Sequence, residues 1–309
     1  MSKNKTTLGL ALLSLSLFFA HPPLARASDF VTEQFNQPIQ YKQPGVPSNY
    51  YWWAIDDSDG QQYYGNPCDP QNVACLTRIV QDGEKFARLS IGHDLTPQGY
   101  NNVEFSELQT GYVYHQGLER WSPTVDHPVI FTETVKFGPN YNENGTGGAI
   151  GSAGGGLWNS YVDFPNSTLH PITAFWWGWA EQGMAFGQLE GLSLSVFNEN
   201  NLLYFQKVTA PLDMHDWMTW VESWKALPNG KQEISFTVFQ NGHLYTVGNT
   251  HDFYPDGVGP LPALSVTNWN DNQFVNDFDQ FGNPIVVFHN PAVGQTDYWD
   301  LNGITVFQP

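Results

Sequence analysis

Three observations predict an all-β chain of antiparallel strands. Short runs of alternating apolar and polar residues, rich in Val, Ile, Thr, Phe and Tyr, recur along the sequence; Gly, Pro, Asn and Asp bound them; and two Asn-Gly pairs, 229–230 and 241–242, mark tight hairpins. The clearest strands are Phe86–Ile91, Asn102–Thr110, Val129–Phe137, Gly191–Phe197, Leu202–Lys207, Trp217–Trp224, Glu233–Gln240 and Gly303–Gln308. In EISFTVF, Ile234, Phe236 and Val238 face one way and Ser235, Thr237 and Phe239 the other, so one face is buried and one partly wet. Both central positions of a type I′ turn need positive φ, which Asn-Gly supplies, so 217–224, 233–240 and 243–247 read as consecutive hairpin strands. The cluster Gly145 to Gly156 reads as a flexible loop, because glycine loses the most backbone entropy on ordering. With neither a following helix nor a Lys, it is a poor phosphate loop. The stretch Asn268–Asn290, rich in Asn, Asp and Phe, reads as an irregular loop at a cleft rim.

Residues 1–27 have the anatomy of a secretory signal: Lys3 and Lys5, an apolar run from Leu8 to Ala20, and Ala25-Arg26-Ala27 as a cleavage site. The expected mature chain, 28–309, is one exported domain, secreted or periplasmic, with no linker or internal repeat. No stretch reaches the roughly 18 apolar residues of a membrane helix. The whole chain carries a formal net charge of −18, and losing Lys3, Lys5 and Arg26 takes it to about −21. Such a surface repels phosphate backbones and anionic lipid, so nucleic acid and membrane are unlikely partners and polyanionic glycans are disfavoured. Neutral or cationic ligands fit. Cys68 and Cys75, close together in an exported chain, read as one disulfide pinning a loop. Sequons at Asn144 and Asn166 matter only in a host that glycosylates proteins.

The aromatic content points to a ligand surface. Tyr51, Trp52 and Trp53, with Trp176, Trp177 and Trp179, are candidate platforms for sugar rings, whose C–H faces pack on indoles. Successive strand residues alternate faces, so Trp176 is not on the side of Trp177 and Trp179, and one set is expected to be core. Three His-Asp neighbours, 93–94, 215–216 and 251–252, point apart for the same reason and form no relay; no G-x-S-x-G elbow is present.

Several segments together resemble the concanavalin A-like lectin/glucanase superfamily, and within it the laminarinase-type family-16 glycoside hydrolases. FVTEQFN is similar to that fold's first edge strand, DGEKFARLSIG and NNVEFSELQTGY to its next two, PITAFWWGW to its "pAFW" strand, and TDYWDLNGITVFQ to its closing strand. The resemblance implies a two-sheet antiparallel jelly-roll β-sandwich with carbohydrate on its concave sheet. It also implies a catalytic strand of pattern E-x-D-x-x-E, whose outer glutamates are nucleophile and acid/base, because retaining hydrolysis needs two carboxyls roughly 5 to 5.5 Å apart. Here Glu190 fits the first position, but Leu192 and Ser195 stand at the second and third. A partner acid must then come from elsewhere: Glu181, or Glu104, Glu107 and Glu133 on earlier strands. The fold often holds a structural calcium between first and last strands. Asp300 and Asn302, with Glu33 on the partner strand, are the matching positions.

The expectation is an exported protein that binds, and in its enzymatic form hydrolyses through Glu190 and Glu181, a neutral polysaccharide such as β-glucan. A non-catalytic lectin-like binder and a divergent enzyme acting on a small apolar ligand are the rival readings.

Overall fold

The computed structural model describes residues 29–36, 52–58, 61–63, 74–93, 104–110, 123–158, 162–163, 168–169, 173–184, 190–198, 201–253, 265–280 and 284–309. Twenty strands and no helix occur among them. The first seven are β1 (Asp29–Glu33), β2 (Trp52–Ser58), β3 (Gln61–Tyr63), β4 (Ala74–Gln81), β5 (Glu84–Gly92), β6 (Glu104–Thr110) and β7 (Val129–Phe137). Next come β8 (Ser152–Trp158), β9 (Val162–Asp163), β10 (Thr168–Leu169), β11 (Thr173–Ala180), β12 (Gly191–Asn198), β13 (Asn201–Lys207) and β14 (Met218–Ala226). The last are β15 (Gln232–Gln240), β16 (His243–Phe253), β17 (Ser265–Asp271), β18 (Gln273–Phe278), β19 (Pro284–Phe288) and β20 (Thr296–Gln308).

Two eight-stranded antiparallel sheets carry the fold. The first runs β16-β15-β14-β7-β20-β5-β4, with β1 pairing along the far half of β20; the second runs β13-β12-β11-β8-β17-β6-β2-β3. This is the jelly-roll sandwich expected from the sequence. The strict alternation of VIFTETVKF, MTWVESWKA and QEISFTVFQ puts every second residue inside, and Ile234, Phe236 and Val238 are buried as the pattern requires. One core lies between the sheets. It is centred on Trp177, Trp220, Trp299, Phe131, Phe137 and Phe236.

The hairpins follow their turn chemistry. Asn241 (φ 52°) and Gly242 (φ 83°) join β15 to β16 with both central residues left-handed, as a type I′ turn demands. At Asn229-Gly230 only the glycine has positive φ (82°), and Leu227 N–H donates to Lys231 O at 2.7 Å, so this is a longer turn than its sequence suggests.

Two expectations need correction. Residues 152–156 of the glycine cluster belong to β8, a central strand buried between β11 and β17. Tertiary packing outweighs propensity here: a Cβ on Gly154 would sit 2.6 Å from Trp177 O and 2.5 Å from the Trp269 ring, and one on Gly155 would sit 2.2 Å from Asn268 Oδ1. The strand is glycine because both of its faces are already occupied. The stretch 268–290 is likewise ordered as the end of β17 and the β18–β19 hairpin, not as an irregular loop.

Candidate functional site

Backbone register brings Asp271 (β17), Ser152 (β8), Ala180 (β11) and Gly191 (β12) into one row at the end of the second sheet. Glu181 and Glu190 are the next residues beyond that row. Gly151 makes the junction: its N–H donates to Glu181 Oε2 at 3.0 Å and its carbonyl accepts the Glu181 N–H at 3.0 Å. Its φ is +68°, and a Cβ there would lie 2.0 Å from Asp271 O. Only glycine fits. Gly151→Ala is expected to lower stability by about 1–3 kcal/mol, read as a lower thermal midpoint, through left-handed strain and displacement of β17.

The acids here have distinct surroundings. Glu181 Oε2 accepts from His289 Nδ1 at 2.8 Å, and the His289 ring stacks on Phe274 at 4.2 Å and 18°. Burial pushes the Asp271 carboxyl up to about 7, against hydrogen bonds from Gln273 N–H, Ser152 Oγ and Ser152 N–H that favour its charged form. Burial also raises Asp297, whose oxygens accept from Asn140, Gln295 and Ile150, with Glu181's charge adding to the rise. Glu190 is half-buried and its Oε1 accepts the Gly183 N–H at 2.9 Å.

Beside this row lies an aromatic. Trp269 is half-buried on β17, between Asn268 and Asn270, which are wholly buried on the opposite, core side. Its Nε1 donates to Ser152 Oγ at 3.1 Å and its ring lies over Gly154. The register continues from Trp269 through Gly154 and Gly178 to Ser193, and in the next row from Thr267 through Gly156 and Trp176 to Ser195. On that side of the second sheet Trp269 is half-buried, while Gly154, Gly178, Ser193 and Ser195 beside it are buried; the Trp176 side chain falls outside the described residues.

The expected site residues are scattered. Trp177 and Trp179 are corrected from ligand platforms to core: they are 0% and 1% exposed, Trp177 Nε1 donates to Glu133 Oε1, and Trp179 Nε1 donates to Asn142 O at 2.7 Å. The backbones of Trp52, Trp53 and Trp176 lie on β2 and β11, while their side chains, and all of Tyr51, fall outside the described residues. Leu192 and Leu194 face the core and Ser193 and Ser195 the other side, so the positions matched to E-x-D alternate into the interior. No β12 acid faces the outer surface. Glu133 is buried between the sheets, and the side chains of Glu104 and Glu107 are outside the described residues.

Of the residues expected at a calcium, Glu33 lies on β1 opposite Ile304 and accepts the Phe35 N–H, and Asn302 is half-buried on β20. Asp300 gives both oxygens to Arg88, at 2.7 and 2.9 Å. No group of three or more His, Cys, Asp or Glu is arranged to hold a metal among the described residues. Cys75 is on β4, and Cys68 falls outside the described residues, as does the expected disulfide. Sequence reasoning missed Trp269, Asp271, Ser152 and His289. The one available signal was the alternation of SVTNWND, which sets Trp269 apart from its flanking asparagines.

No protein-family profile and no curated protein matches the chain. Solved structures do. An endo-1,3-β-glucanase from Streptomyces sioyaensis is 10% identical with a TM-score of 0.51, over 94% of this chain and 99% of that one. A GlcNAcα1-4Gal-releasing endo-β-galactosidase from Clostridium perfringens is 11% identical, TM-score 0.46, covering 94% of this chain, which spans 65% of that enzyme's length. A laminarinase from Flavobacterium sp. UMI-01 is 11% identical, TM-score 0.43, over 90% and 99% of the two chains. The chain shares the fold of the first of these: a divergent glucanase-like jelly roll.

Proposed function

We propose that this protein is exported and holds a neutral polysaccharide, a β-glucan or similar chain, on the outer face of its second sheet. The observation that carries the reading is Trp269, half-buried on that face and laid over Gly154. A flat, half-buried indole offers a stacking surface for a sugar ring. The acidic net charge of −18 disfavours polyanions at such a surface. The fold shared with a glucanase agrees with this reading.

Hydrolysis is the second reading, favoured by one observation: Asp271, raised to about 7 and so able to hold a proton, lies near the Glu181–His289 pair, which puts two carboxyl groups at one end of the face. β12, which follows Glu190, carries no acid. The proposal is tested by retention on affinity gels containing neutral glucans, with Trp269→Ala expected to weaken retention about tenfold or more while the protein stays folded. Undiminished retention by that variant overturns it. Reducing-sugar release that disappears in Asp271→Asn or Glu190→Gln establishes the enzymatic reading; no release from any glucan, with retention intact, leaves a binder.

A further inference from the structure

Six buried side-chain atoms without a hydrogen-bond partner belong to four residues: Glu133 Oε2, both oxygens of Glu222, both amide atoms of Asn268, and Trp220 Nε1. They are neighbours. Trp220 pairs with Glu133 across β14 and β7, and Glu222 stands two residues further along β14 on the same inward face. Asn268 approaches from the opposite sheet, where a Cβ on Gly155 would meet its Oδ1 at 2.2 Å and Glu133 Oε1 at 2.5 Å. Glycine at 155 leaves the space these groups occupy. All four residues are at most 1% exposed.

We propose that Glu133, Glu222, Asn268 and Trp220 enclose an internal water site, closed between the two sheets, in which both glutamates are neutral carboxylic acids. The polar inventory supports this. As carboxylates, the two glutamates and the Asn268 oxygen present four unpartnered acceptors against two donors, Asn268 Nδ2 and Trp220 Nε1. Two protons convert two of those acceptors into donors, and a water with two to four polar partners joins what remains. Neither glutamate has a cationic partner among the described residues, where the ion pairs are Arg88–Asp300 and His289–Glu181. A buried carboxylate without a counter-charge takes up a proton instead of remaining ionised. Burial accordingly pushes Glu133 up to about 8, against the Trp177 indole and the Asn268 amide, and pushes Glu222 well above the usual carboxyl range, with the Glu133 charge adding to it and the nearby Leu157 and Trp177 backbone opposing. None of these contacts reaches good hydrogen-bond geometry except Trp177 Nε1 to Glu133 Oε1. Among the described residues the facing strands bring no other ionisable group: β8 contributes Gly155, β11 Trp177 and β17 Asn268.

Infrared spectra of the full-length protein test the proposal. The wild type is expected to keep a protonated-carboxyl carbonyl band from pH 5 to pH 7, where exposed acids have lost theirs, and Glu133→Gln and Glu222→Gln should each remove one group's share. Oxygen-17 relaxation of the wild type should show at least one long-lived internal water. Loss of the whole band by pH 7, or no long-lived water, overturns the proposal without needing any variant to fold. So does a stoichiometric cation found by elemental analysis after dialysis against chelator and absent from Glu222→Gln. Because protons are taken up on folding, stability should fall as pH rises from the ordinary carboxyl range toward 8. The Glu133→Gln/Glu222→Gln pair should flatten that slope, and an unchanged slope counts against protonated glutamates.

Discussion

Trp177→Ala is expected to destabilise the protein by about 3–5 kcal/mol, the usual range for truncating a buried large aromatic, with a further contribution from lost ring pairing. Trp177 is 0% exposed. It stacks on Trp220 at 5.5 Å and 10°, and meets Phe137 and Trp299 edge-on at 5.6 and 5.5 Å. Truncation opens a cavity among three aromatics and removes the indole N–H that satisfies Glu133. A domain of ordinary stability has about 5–15 kcal/mol in total, so the variant should unfold at a much lower urea midpoint or fail to accumulate folded. A variant that keeps the wild-type midpoint and loses only glycan retention would show that the residue faces ligand after all.

Arg88→Ala should come close to this, at about 3–5 kcal/mol, because it strands a buried charge. Asp300 is 0% exposed and receives two parallel hydrogen bonds from the guanidinium, which also lies 3.8 Å from the Tyr298 ring centre. The Arg88 side chain keeps 29% exposure, so the opposite change, Asp300→Ala, should be milder: the freed guanidinium reaches water, whereas the freed carboxylate does not. Arg88→Lys should recover only part of the loss, since an ammonium does not reproduce the fork. Equal denaturation midpoints for Arg88→Ala and Asp300→Ala would refute this asymmetry.

Strands such as Val129–Phe137 and Gln232–Gln240 were legible because each has one wet and one dry face, and that pattern is local. Asn241-Gly242 was legible for the same reason: its φ requirement belongs to the residues themselves. Which set of tryptophans on β11 enters the core was not legible, since an indole suits either side and the choice depends on Trp220 and Trp299, far along the chain. β8 was misread because its glycines answer to neighbours contributed by β11, β17 and β7. The candidate site was hidden by distance: Trp269 meets Ser152 across 117 residues, and His289 meets Glu181 across 108. No spacing rule reaches that far.

β20 lies in the middle of the first sheet, hydrogen-bonded to β5, β7 and β1, although it is the last strand in sequence. The first sheet therefore cannot be completed until Thr296–Gln308 has been made, and β5 and β7 wait with an open edge while about 200 and about 160 intervening residues, respectively, are synthesised. Until that strand arrives, the waiting edges are templates for pairing with other chains, which chaperones must cover.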